Sequence, residues 1–156
     1  MFRTWLYMLL LSVFLAGTVQ AQTNSFSLRW LDLLENDWPD FEREDSKQAA
    51  AKLMDELKDE LSKKDEKHAG ECNYLLCEMN YYLKEYDSAI IYGKEALRTG
   101  FQDIGMVHYK MALSYEAMDQ LEYALHAIDQ ALLARPGEEI FYSEKKKLSG
   151  LLEKRK

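Results

Sequence analysis

Three histidines, two cysteines and a surplus of carboxylates are the side chains of this 156-residue chain best suited to chemistry. A structural or catalytic metal site needs three or four His, Cys, Asp or Glu donors, gathered from short characteristic spacings. His68, His108 and His126 are the only histidines, and none has a carboxylate or Cys at such a spacing. No glycine-rich phosphate loop, nucleophile elbow or His-Glu-x-x-His run occurs. Asp55, Glu56, Asp59 and Glu60 are interleaved with Lys52, Lys58, Lys63 and Lys64, the pattern of a solvated helix face. A general acid or base needs a dry, shaped site to shift its pKa, and nothing in the pattern marks one. The expectation is therefore no enzyme, no metal and no cofactor.

Cys72 and Cys77 are five apart. On a helix that spacing separates the Cα atoms by about 8.6 Å, beyond the roughly 7 Å that a disulfide tolerates. Stability must come from packing. Tyrosine is a better lead, with 10 copies, among them Tyr74, Tyr81, Tyr82, Tyr109 and Tyr115. Tyr supplies rigid amphipathic contact area for recognition; packing with the hydroxyl at an edge is the other use of the same side chain.

The elements that must position these residues are helices. The chain is 47% hydrophobic with only 7 Gly and 2 Pro, which leaves room for a core and few helix breaks. Aligning the chain with itself at an offset of 35 pairs Tyr74 with Tyr109, Leu76 with Met111, Cys77 with Ala112, Ala89 with Ala124, Ile90 with Leu125, Ala96 with Ala131 and Leu97 with Leu132. A period in the thirties built of two helical stretches is the mark of a helix-pair array. Tyr86, Ala89, Ile90, Gly93, Ala96 and Leu97 follow helical spacing, as do Leu121, Ala124, Leu125, Ile128, Ala131 and Leu132. Gly100 and Pro136-Gly137 stop these helices, and Lys84-Glu85 and Asp119-Gln120 mark short turns inside each pair.

These residues resemble the tetratricopeptide repeat family. Its motif has a large apolar residue followed by a small one and then an aromatic in the first helix. Ala, a large residue and Ala follow in the second, with Pro closing the unit. Met111-Ala112, Tyr115, Ala124, Ile128, Ala131 and Pro136 are close to complete. Leu76-Cys77, Ala89 and Ala96 form a looser copy. It departs with Asn80 for an aromatic, Gly93 for a large residue and Phe101 for Pro, Tyr81 and Tyr92 substituting in part. The resemblance covers roughly 70 residues and implies an all-α, right-handed helix-pair solenoid with helical caps at both ends. The expected division is 1–21 signal peptide, 22–69 helical region, 70–103 and 104–137 repeats, and 138–156 capping helix. Within the second segment Lys47–Leu61 is predicted as helix, with Ala50, Leu53, Met54, Leu57 and Leu61 on one stripe. Ser27–Asn36 is a shorter one, either part of a degenerate repeat or a cap carrying Trp30 and Trp38. The terminal helix shows Phe141, Leu148, Leu151 and Leu152 on one side.

The family's first helices line a concave surface that holds a peptide or a partner's helix. Carried over by position, that surface consists of Tyr74, Glu78, Tyr81, Tyr109, Leu113 and Glu116. Family members that grip acidic C-terminal peptides carry Lys/Arg and Asn there, whereas Glu78 and Glu116 imply a neutral or basic protein or peptide partner. Association of two copies through Trp30 and Trp38 or an open end is the alternative, since two repeats make a short stack. A small-molecule binder, which needs a closed pocket, is a third.

Arg3, the apolar run Trp5–Leu15 and Val19-Gln20-Ala21 read as a secretory signal cleaved before Gln22. The run is too short for a spanning helix, which needs roughly 20 residues. The mature chain would hold 19 basic and 27 acidic residues, net −8, so nucleic acid is excluded as a partner by charge repulsion. The expectation is export to a periplasmic or extracellular location, most simply a bacterial envelope, with no stable membrane insertion. The basic residues of 138–156 read as a solvated face complementing the negative end of the terminal helix.

Overall fold

The structure, a computed structural model, describes residues 44–63 and 66–155, together with Leu28. The expected signal peptide (1–21), the predicted helix Ser27–Asn36, Trp30 and Trp38 lie outside the described residues, apart from Leu28. The described residues are all-helical: α1 (Glu44–Ser62), α2 (Glu66–Tyr82), α3 (Tyr86–Arg98), α4 (Ile104–Ala117), α5 (Leu121–Ala134) and α6 (Glu139–Glu153). None of these helices is long and apolar enough to cross a membrane.

Each helix packs chiefly on its neighbours in sequence, α2 on α3 and α4 on α5 most extensively. The links explain why. Lys84 and Asp119 sit in the left-handed region at φ 65° and 63°, 35 residues apart in three-residue connections. The N–H of Lys84 reaches Tyr81 O at 3.0 Å and that of Glu85 reaches Asn80 O at 2.8 Å; Asp119 and Gln120 repeat the pattern on Glu116 O and Tyr115 O at 2.8 and 2.9 Å. Gly100, at φ 82°, closes α3 the same way, with Phe101 N–H on Ala96 O at 3.0 Å. This double closure satisfies otherwise orphaned carbonyls and turns the chain back sharply. A three-residue link then leaves consecutive helices antiparallel. Beyond α3, Asp103 caps α4 by accepting the Met106 N–H at 3.1 Å. Its other oxygen binds Arg135 Nη1 at 2.9 Å, while Arg135 Nη2 binds Glu138 at 2.7 Å. One guanidinium therefore clamps the α3–α4 link to the α5–α6 link.

Burial follows the 35-residue offset. Cys77 and Ala112, Ala89 and Ala124, and Ala96 and Ala131 are all fully buried. Ala50, Leu53, Met54 and Leu57 of α1 pack with Cys72, Leu75, Leu76 and Met79 of α2. A second cluster runs from Tyr74 through Met111, Ala112, Ala124 and Ile128 to Phe141 and Leu148. Those last two, both fully buried, seat α6, each contributing about 1.5–3 kcal/mol by leaving water. Cys72 and Cys77 are free and buried, and burial pushes the Cys77 thiol up to about 12.

The looser copy's three departures each have a structural account. A Cβ on Gly93 would stand 2.8 Å from Met111 Cγ, so Met111 fills the space a large residue would take. Buried Asn80 returns its Nδ2 donor to Leu76 O at 2.6 Å. Phe101 stacks on Tyr74, ring centroids 4.4 Å apart.

Gly70 and Gly105, also 35 apart, stand at equivalent places with different neighbours. A Cβ on Gly70 would lie 2.9 Å from the backbone N of Phe101, whereas one on Gly105 would meet side chains only, Arg135 Cδ at 2.8 Å and the Phe141 ring at 3.3 Å. Gly→Ala in a helix interior gains about 1 kcal/mol from propensity, and overpacking against fixed atoms costs about 1–3 kcal/mol. Gly70→Ala should therefore lower thermal stability, because the Phe101 backbone cannot yield, and Gly105→Ala, which displaces Arg135 from its clamp, should lower it less; melting curves of the two variants check the ordering.

Candidate functional site

The site builds from residues that α2, α4 and α6 direct toward one another. Glu78 on α2 and Lys110 on α4 meet at 2.8 Å, with side chains only 5% and 6% exposed. Lys110 Nζ also lies 4.8 Å from the Tyr82 ring centroid and 5.5 Å from that of Tyr81, and donates to the Tyr82 hydroxyl at 3.5 Å. Two aromatic faces and a carboxylate thus replace the water lost by the ammonium. Burial works to lower the Lys110 pKa, but Glu78, Tyr82 and Tyr74 together outweigh it and hold the ammonium well above its ordinary value.

Tyr81 is half-buried, its ring 5.4 Å from Tyr82 and 6.0 Å from Tyr86. It is near enough to Lys110 and Glu116 to feel their charge, and burial raises its hydroxyl above the ordinary value. Tyr109, half-buried and 5.2 Å from the Phe141 ring, is pushed up to about 12, first by burial and then by Glu144. Leu113 is half-buried on the same helix. Glu116 receives Lys147 of α6 at 2.7 Å. Tyr115 packs half-buried against the core and stacks on exposed Tyr123 at 5.5 Å.

Of the six residues predicted to form a binding face, Tyr81, Tyr109 and Glu116 are half-buried and Tyr81 lies within electrostatic reach of the other two, while Leu113 is half-buried on the same helix as Tyr109 and Glu116. The structure corrects the remaining two. Tyr74 is buried under Phe101, and Glu78 is buried in its ion pair. The acidic character expected of the face is corrected as well, because Lys110 answers Glu78 and Lys147 answers Glu116. Lys147 was legible only as part of a basic tail. That tail instead reaches back over the body: Lys147 to Glu116, Lys145 to Asp129 at 2.7 Å, and Arg155 to Asp119.

Lys110 did leave a signal in the repeat. At the 35-residue offset it stands where Leu75 stands, and Glu78 stands where Leu113 stands.

Among the described residues no three His, Cys, Asp or Glu side chains gather as a metal ion requires. His108 and His126 do approach each other: burial, then the His126 charge, pushes the His108 imidazole below its ordinary value. A groove of about 690 Å³ runs along Lys52, Asp55, Glu56, Asp59, Glu60 and Lys63 of α1, a charged face with local pairs such as Lys63–Glu60 at 2.9 Å. The chain has no significant match to a protein-family model, a curated protein or a solved structure.

Removing one partner of a buried ion pair typically costs about 3–5 kcal/mol, whereas replacing both by apolar groups is near neutral or stabilising. Lys110→Leu alone should therefore lower stability by about that amount. The double variant Glu78→Leu/Lys110→Leu, which places on each helix the residue its counterpart carries, should recover most of the loss. Urea unfolding of both variants and the parent measures this.

Proposed function

We propose that this chain is an exported, non-enzymatic interaction module, a right-handed stack of tetratricopeptide-type helix pairs (70–103 and 104–137) capped by helices at both ends. It binds a peptide or partner helix on the face shared by α2 and α4. The observation that carries the reading is the proximity of half-buried Tyr81 on α2 to half-buried Tyr109 and Glu116 on α4, with Leu113 half-buried on that same helix. The repeat of burial and of left-handed turns at 35 residues supports the stacked architecture. A surface whose charges are already paired offers little to a charged ligand. The partner this face suits is neutral and apolar on the contacting side, oriented by tyrosine hydroxyls.

A second reading, self-association, draws on the exposed Ile91, Tyr123, Leu133 and Tyr142, since large exposed apolar side chains are common in contact surfaces.

Immobilised chain from Gln22 onward should capture a protein from an envelope extract, and the purified protein should then bind with weak salt dependence. Tyr81→Ala with Leu113→Ala should weaken that binding by at least about tenfold, hot-spot truncations costing on the order of 2 kcal/mol each, while circular dichroism stays unchanged. Equal binding by variant and parent removes this face as the site. Light scattering showing mass rising with concentration would favour self-association instead.

A further inference from the structure

Lys147 of α6 stands between two carboxylates. Its Nζ donates to Glu116 Oε2 of α4 at 2.7 Å and lies 2.8 Å from Glu144 Oε1. The contact with Glu144 is an ionic approach only: that oxygen is shut off from solvent and has no hydrogen-bond partner. The Glu144 side chain is 11% exposed and that of Glu116 is 21% exposed. Two carboxylates share one ammonium whose own side chain is 49% exposed, but one Glu144 oxygen is shut off from solvent, and like charges so placed disfavour double ionisation.

We infer that Glu116, Lys147 and Glu144 form a proton-dependent latch between α4 and α6, in which a proton on Glu144 supplies the donor that its carboxylate pair lacks. With the proton bound, one neutral carboxyl, one carboxylate and one ammonium hold α6 against α4. Without it the same contact carries an uncompensated negative charge. Tyr109 on α4 feels the charge of Glu144, and its hydroxyl at about 12 stays protonated. On α5, the other helix against α6, Asp129 is held by Lys145 at 2.7 Å. The Lys147 pKa lies above its ordinary value, the carboxylates outweighing the lowering effect of burial.

The electrostatics of Glu144 agree in direction. Burial is the largest influence and raises its carboxyl; Lys147 lowers it and Glu116 raises it again, for a net upward shift. A carboxyl raised in the folded state stabilises that state fully below the ordinary glutamate value. The contribution fades as pH climbs through the folded midpoint. Seating of α6 is thus tighter in mild acid than at neutral pH. The latch adjoins the face that the proposed function assigns to binding, but it does not rest on that reading, and its test involves no partner.

Native-state hydrogen exchange on the full chain tests it, with α6 amides read against α5 amides in the same sample at about pH 5 and about pH 7.5, within the range where glutamates and histidines titrate. After correction for intrinsic rates, α6 should gain protection relative to α5 at the acidic pH, by up to about tenfold for each unit the Glu144 midpoint is raised. Glu144→Gln, which keeps the shape and fixes the neutral state, should abolish this pH dependence. The Glu144 side-chain carboxyl carbon, followed by NMR, should titrate above the ordinary value of about 4.3. A midpoint at or below that value, or the same pH dependence in Glu144→Gln as in the parent, overturns the latch.

Discussion

The seam of small side chains between consecutive helices is the constraint on which the rest depends. Cys77, Ala89, Ala96, Ala112, Ala124 and Ala131 are fully buried, and they let backbones approach closely enough for larger neighbours to interlock. Gly93 shows how tight the fit is, since Met111 and Cys77 already occupy the space beside it. Small residues alone bury little area. What they permit is the depth at which Met111, Ile128, Phe141 and Leu148 are enclosed, and enclosure of that kind is what leaves a net stability after chain entropy is subtracted.

The polar side chains enclosed between α2 and α4 are satisfied. Asn80 and Ser114 return their donors to carbonyls one turn back in their own helices. Lys110 meets Glu78 between two tyrosine rings. Such a pair adds less stability than an apolar contact of equal volume, but it tolerates only one register of α2 against α4, because a slip would strand both charges. The same economy governs the carboxyl end, where Lys145, Lys147 and Arg155 neutralise acids on the preceding helices. The charge asymmetry along the chain is therefore an internal complementarity.

Much of the helical content was legible in advance. The apolar stripes predicted α3 and α5, Lys84 and Asp119 marked two turns, and Gly100 and Gly137 marked two stops; all four take positive φ. The predicted Lys47–Leu61 helix falls inside α1, which spans Glu44–Ser62. The proposed face was less legible. Position in a motif identified Tyr81, Tyr109, Leu113 and Glu116 as neighbours, yet it also placed Tyr74 and Glu78 at a surface where the structure buries them. Motif position says which way a side chain leaves its helix. It is silent on what else arrives there, and Phe101 and Lys110 arrived from other segments.

The sequence by itself determined where helices begin, turn and end, because capping, left-handed turns and apolar periodicity are local and act within a few residues. It also determined which small residues line the seam, through an offset of 35 that brings like onto like. Only the tertiary structure decided which charges are matched. Glu78 with Lys110, Glu116 with Lys147 and Asp103 with Arg135 are separated by about thirty residues each. A Coulomb interaction takes no account of that separation along the chain; it depends on the distance and burial that packing creates.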